Sequence, residues 1–239
     1  MILTGNTASV LRNAPYREAD RMLTLFSPTQ GRIEALCRGC RKPRSAFRNA
    51  SEIFALGEYD LYQKGNHLTV VSATLTETFF PLRQDYDRLR VGTYLLSLCE
   101  SVIQQGQNHQ ELFMLLLHTL SRLTFTQQET EPLLCGFLVH FCDQTGIKPR
   151  LHHCIHCGKR MGDESNAWFD MQDGGLVCAD CRMGTEEGIA VAEISFLRMA
   201  LSSGSSHWVN APECYAPLRL MRKYTENSLE HAPRGLEEL

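Results

Sequence analysis

The chain has 239 residues, 43% hydrophobic and 21% charged, with a net charge of −3 at pH 7, the balance of an ordinary soluble globular protein of one large or two to three small domains. No apolar run approaches the ~18 residues that a membrane span needs. The opening "MILTGNTASVLRNAPY" lacks the charged start and long apolar core of a signal peptide, so a cytoplasmic protein with no membrane contact is expected.

Residues 1–80 read as β structure. Segments near 2–12, 20–27, 32–38, 52–62 and 67–78 are short and rich in β-branched and aromatic residues, and "SPTQGR" and "KGN" punctuate them as turns. Ile33, Ala35 and Cys37 alternate with Arg32, Glu34, Leu36 and Arg38, the period-2 pattern of a half-buried strand. Five short strands in this length suit a small barrel, of which the OB-fold is the commonest design. This part carries ten Lys/Arg against seven Asp/Glu, a balance of +3, whereas residues 81–239 carry 14 against 20, a balance of −6. Contact with a polyanion is therefore expected in the first part.

The third strand runs into "ALCRGCRKPRSAFR", which holds a C-x-x-C pair and five cations with no carboxylate. Cys37 falls on the inward phase of its strand, where a free cysteine behaves as a small hydrophobe. No second knuckle lies nearby and no βαβ unit surrounds the pair, so packing is the preferred reading and redox chemistry the alternative. The cations read differently. Arg38, Arg41, Lys42, Arg44 and Arg48 lie at a strand end and in a loop that Gly39 and Pro43 keep out of helix. No acid falls between Glu34 and Glu52, so this loop suits a phosphate backbone. Arg12, Tyr16, Arg17 and Arg21 in the first hairpin add charge and one stacking ring, partly offset by Glu18 and Asp20.

From Pro81 the period becomes helical. Val91, Tyr94, Leu95, Leu98, Cys99, Val102 and Ile103 mark one face of a helix, and the pair Asp85/Asp87 reads as its start. Phe113, Leu116, Leu117, Leu120 and Leu123 mark a second helix, and Leu134, Phe137, Leu138 and Phe141 a third. "NHQE" (Asn108, Glu111) and "TQQE" (Thr126, Glu129) have the form of capped starts. Helical patterning returns near 191–202, and at 211–230 behind "NAPE" (Asn210, Pro212, Glu213).

The interruption at 150–185 carries two C-x-x-C knuckles, Cys154/Cys157 and Cys178/Cys181. Two residues between thiolates let one tight turn aim both sulfurs at one ion, and two such turns complete a tetrahedron around Zn²⁺. "AWFDMQDGGLVC" between them reads as a hairpin, giving a zinc-ribbon-like module with one structural zinc. His152, His153 and His156 crowd the first knuckle and are candidates to replace a thiolate. Ten cysteines in a reducing compartment mean free thiols plus such a site rather than disulfides. The chain has no P-loop, no H-E-x-x-H and no G-x-S-x-G, so nothing points to nucleotide hydrolysis or nucleophilic catalysis.

These residues together resemble the RecO family of bacterial recombination mediators. The resemblance rests on "VLRNAPYREADRMLTLFSPTQGRIEALCRGCRKPRS" (10–45), "TLTETFFPLRQDYDRL" (74–89) and the knuckles "CIHCG" and "CADC". It covers essentially the whole chain and is most specific in the first 50 residues. It implies a multidomain α+β protein: an OB-fold at 1–80, then a helical bundle at 81–239 interrupted by the 150–185 module. It also implies a DNA repair protein without catalysis, associated with the nucleoid. Such a protein binds single- and double-stranded DNA, anneals complementary strands and works with RecR and with the C-terminal tail of single-stranded DNA-binding protein (SSB) to load RecA onto gaps. Arg38, Arg41, Lys42 and Arg44 fall on the family's basic loop, and Cys154, Cys157, Cys178 and Cys181 on its metal ligands. Cys37 and Cys40 depart from it, standing where small apolar residues are more usual. Two other readings compete: a zinc-dependent nucleic-acid enzyme with an open metal shell, and an adaptor whose acidic helical part docks partner proteins.

Overall fold

The computed structural model describes residues 1–162, 167–203 and 217–229. They divide between two compact units, one holding Met1–Thr124 and the other within 125–233.

In the first unit, strands β1 (Ile2–Tyr16), β2 (Asp20–Ser27), β3 (Gly31–Cys37), β4 (Leu56–Lys64) and β5 (His67–Glu77) follow the expected segments. The fourth starts later than expected. Asn49–Ser51 forms a 3-10 turn instead, and the amides of Ser51 and Glu52 bond locally to Phe47 and Asn49 rather than to a neighbouring strand. The strands pair in the closed order β1-β2-β3-β5-β4. β1 serves two partners: Ile2–Ser9 lies along β4 and Ser9–Tyr16 along β2. Irregularities at Leu3/Asn6 and Val10/Arg12 bend it between them. Ile33, Ala35 and Cys37 point inward as their spacing requires, and they pack with Val10, Leu23 and Tyr59.

Helices α1 (Tyr86–Val102) and α2 (Gln110–Phe125) complete this unit. Asp85 caps α1, accepting from the Arg88 amide at 3.1 Å, and Val91, Tyr94, Leu95, Leu98 and Cys99 are buried. Asn108 accepts from the Gln110 amide at 3.0 Å. The β2–β3 turn joins strands to helices by backbone pairing with the α1–α2 linker. Arg32 N–H donates to Gln104 (3.2 Å), Gly106 to Gln30 (2.8 Å) and His109 to Pro28 (2.8 Å).

The second unit holds α3 (Thr130–Gln144), β6 (Ala167–Asp170), β7 (Gly175–Cys178), β8 (Glu187–Ile189), α4 (Val191–Ser202) and α5 (Leu218–Ser228). α3 begins at Thr130, not at the expected Thr126. A helix already running at Gln128 would set that carbonyl against the ring of Pro132 four residues on, whereas proline is tolerated in a first turn. β6 and β7 form the expected hairpin. β8 adds a third strand along β6, so the sheet runs past residue 185 to Ile189. α4 spans the expected residues, and α5 is the described part of the last expected helix. The "NAPE" start lies outside the described residues. No helix among the described residues is long and apolar enough to cross a membrane.

Candidate nucleic-acid interface and metal centre

The loop after β3 is pinned by apolar residues and leaves its cations outside. Cys40 and Ala50 are buried in the strand core, and Phe47 packs against it. Tyr59, itself buried, donates its hydroxyl to the Ala50 carbonyl at 2.8 Å. At the loop's start, Gly39 N–H donates to Asp20 Oδ1 at 2.7 Å and Arg41 N–H to the Ala19 carbonyl at 3.0 Å. At its end, the Arg21 guanidinium holds the Ser51 carbonyl (3.1 Å), the Ser51 hydroxyl (3.2 Å) and Glu52 (2.8 Å). Between these anchors Arg38, Arg41, Lys42, Arg44 and Arg48 are all exposed, and none forms an ion pair among the described residues.

The hairpin tip lies beside this loop. The Arg41 guanidinium donates to the Arg17 carbonyl at 3.4 Å, and the Arg17 guanidinium stands 5.3 Å from the centre of the exposed Tyr16 ring. Arg17 has φ +56°, a left-handed conformation that costs an L-residue roughly 1–3 kcal/mol. The structure therefore brings Tyr16 and Arg17 to the loop. It takes Arg12 and Arg21 elsewhere. Arg12 pairs with Glu100 of α1 at 2.8 Å, alongside Arg32 at 3.5 Å, and Arg21 is the anchor just described.

Cys37 and Cys40 are each 1% exposed. Burial, reinforced by the neighbouring Cys40, pushes the Cys37 thiol up to about 12. The thiolate is the reactive form, so this pair is packing rather than a poised redox couple.

In the second unit the sulfurs of Cys154, Cys157, Cys178 and Cys181 all lie within 4.8 Å of one another, a cluster that can hold a metal ion. Cys157 and Cys178 are 3.7 Å apart, against ~3.8 Å for the edge of a tetrahedron with ~2.3 Å Zn–S bonds. Burial works against the Cys154 thiolate, but the amides of Cys157, Cys178 and His156 outweigh it and bring it down to about 6. The donor set thus fits a soft, closed, four-thiolate shell. His156 is not one of this cluster and groups instead with Asp170 and Glu186. The first knuckle is stitched to β7, with Ile155 N–H donating to Leu176 at 2.9 Å and Leu176 N–H to Arg150 at 3.0 Å.

Several positioning roles carry no signal in the sequence. Asp20 reads there as an offset to nearby cations within the stretch that carries the family resemblance, and its role as the anchor of the loop is not announced. Arg198 of α4 donates to the carbonyls of Leu151 (2.8 Å) and Met161 (2.6 Å), pinning both sides of the first knuckle. Tyr224 of α5 donates to Ile147 at 2.8 Å and meets Phe169 edge-on at 5.3 Å. Their partners are carbonyls and rings distant in sequence, which no local pattern announces.

The chain matches the family model "Recombination protein O N terminal" over residues 1–79 and "Recombination protein O C terminal" over residues 83–237. It is 36% identical over 173 residues to the "DNA repair protein RecO" of Alkaliphilus metalliredigens, covering 72% of this chain and 69% of that protein. It is 35% identical over 178 residues to the protein of that name from Desulfitobacterium hafniense, covering 73% of this chain and 63% of that protein. With the Symbiobacterium thermophilum protein of the same name the identity is 28% over 196 residues, covering 82% and 76%.

Proposed function

Because the chain belongs to the RecO family of DNA repair proteins, we propose that it is a non-catalytic recombination mediator. It binds single- and double-stranded DNA, anneals complementary strands and, with RecR, helps load RecA onto gaps coated by SSB, whose tail it engages. The observation that carries this reading is the loop of Arg38, Arg41, Lys42, Arg44 and Arg48, exposed, without ion pairs among the described residues and anchored at both ends. Arg17 and Tyr16 extend the surface, and the closed strand ring at 1–80 beneath it reads as an OB-fold. Arg12 contributes only where a phosphate displaces Glu100.

Annealing needs no reacting side chain. Two anionic strands repel, and a basic surface that holds both lowers the repulsion as counterions leave. Base pairing then drives the reaction. Cys154, Cys157, Cys178 and Cys181 hold one Zn²⁺, which when bound closes the fold of the 150–189 module without offering an open position for water. The protein acts in the cytoplasm at the nucleoid.

Replacing Arg38, Arg41, Lys42 and Arg44 together by alanine tests the loop. Affinity should fall across sequences, and the slope of log K against log salt on single strands should flatten by roughly 3 for four lost phosphate contacts. Unchanged affinity overturns the loop's role. Acceleration of annealing between SSB-coated complementary strands tests the mediator reading, and no acceleration leaves only generic DNA binding.

A further inference from the structure

Outside the four-cysteine centre, three more metal-ligating side chains converge. His156 sits within the first knuckle, Asp170 ends β6 and Glu186 immediately precedes β8. One ligand atom from each lies within 4.8 Å of the other two, although the three come from separate segments.

The charge arrangement asks for a cation. Glu186 is only 7% exposed and stands against a second carboxylate. Two like charges so placed repel, and more strongly where water is excluded. Among the described residues no Lys or Arg forms an ion pair with either one. The Met183 and Gly184 amides, joined at longer range by the charge of Arg182, hold the Glu186 carboxyl below the usual carboxylate range and so ionised, while the Arg182 guanidinium itself stands over the Trp168 ring, 4.7 Å from its centre. His156 forms no ion pair with either carboxylate among the described residues, although a ligand atom of each lies within 4.8 Å of the other two.

The carboxylates are held ready. Met183 and Gly184 N–H groups donate to Glu186 Oε1 (2.9 Å) and Oε2 (2.8 Å). Gln172 and Asp173 N–H groups donate to Asp170 Oδ1 (2.8 and 2.9 Å), and Oδ2 accepts no hydrogen bond among the described residues. Ligating carboxylates are oriented in this way by outer hydrogen bonds that leave a lone pair for the metal.

We propose that His156, Asp170 and Glu186 form a second cation site, separate from the four sulfurs, for a divalent ion of the Mn²⁺ or Zn²⁺ class. One imidazole and two carboxylates suit such ions, whereas the thiolate shell selects soft ones. Bonds of ~2.0–2.2 Å require the donors to close in by roughly 1 Å, which rotation of the exposed His156 supplies. The ion cancels the carboxylate repulsion and clips the first knuckle to β6 and to the segment entering β8.

The test uses the full chain loaded with zinc and titrated with Mn²⁺, with free Mn²⁺ read by its paramagnetic resonance signal. Mn²⁺ stands at the weak end of the divalent series and leaves thiolate-bound zinc in place. One Mn²⁺ per chain should be taken up, and His156→Ala should weaken it at least tenfold with zinc content unchanged. Glu186→Gln should do the same. Because Glu186 also holds two loop amides, His156→Ala, which removes an exposed side chain with no hydrogen bond among the described residues, is the deciding variant. No uptake by the wild-type chain, or uptake unaltered in His156→Ala, overturns the site.

Discussion

Asp20 commits its carboxylate to the Gly39 amide, and that bond sets where the basic loop begins. Simple electrostatics predicts that removing an acid beside a basic surface tightens DNA binding. The structure predicts the opposite. Asp20→Ala orphans the Gly39 N–H and loosens the loop's root, and a bond of this kind is worth about 1.5 kcal/mol or more, so binding should weaken by about tenfold. Asp20→Asn keeps an acceptor and should recover most of the affinity. Fluorescence anisotropy at fixed salt separates the two accounts, since tighter binding in Asp20→Ala would make the residue a charge and not an anchor. At this scale the sequence was partly legible. The inward phase of Cys37 followed from its strand, but Cys40 lies beyond the strand, and its burial depends on how the loop folds back. Arg12 looked like a phosphate ligand because its partner, Glu100, lies 88 residues away on a helix.

Gly31 shows how one turn joins elements. Its φ is +64°, and a Cβ there would run into the Gln104 carbonyl of the α1–α2 linker. Gly65, at φ +59°, meets nothing within 4 Å. Both alanine substitutions carry the cost of a left-handed backbone, roughly 1–2 kcal/mol, but only Gly31→Ala must also push two chain segments apart. Gly31→Ala should therefore destabilise the first unit well beyond Gly65→Ala, by about 2 kcal/mol or more, read as a lower denaturation midpoint. Equal effects would mean that the linker yields freely. "SPTQGR" was readable as a turn from composition, but its pairing with Gln104–His109 was not, because backbone–backbone contacts leave no trace in side-chain pattern. Long one-sided elements such as α1 were legible from their period. β8 has three residues, too few for any period, and α3 carried a local start signature that the ring of Pro132 overruled.

The switch of period near Pro81 was legible across the whole chain, and it marks where the two family models meet. The compact units divide later, after Thr124, because the β2–β3 turn bonds to the α1–α2 linker and gathers α1 and α2 with the strands. This division separates the two sites. The cationic loop belongs wholly to the first unit and the four cysteines wholly to the second. Removing the metal with a thiol-competent chelator should therefore act on one and spare the other. The knuckle module is a three-stranded sheet of strands only three or four residues long, and structural zinc contributes ~10–16 kcal/mol in small zinc modules. Its loss should lower the melting transition of the second unit by many degrees. Affinity for single strands and its salt slope should stay as they were, because no cationic side chain of the loop belongs to the unit that holds the cysteines. A salt slope that falls in step with metal content would instead place the phosphate contacts on the knuckles, and the loop's exposed cations would be an ordinary solvated face.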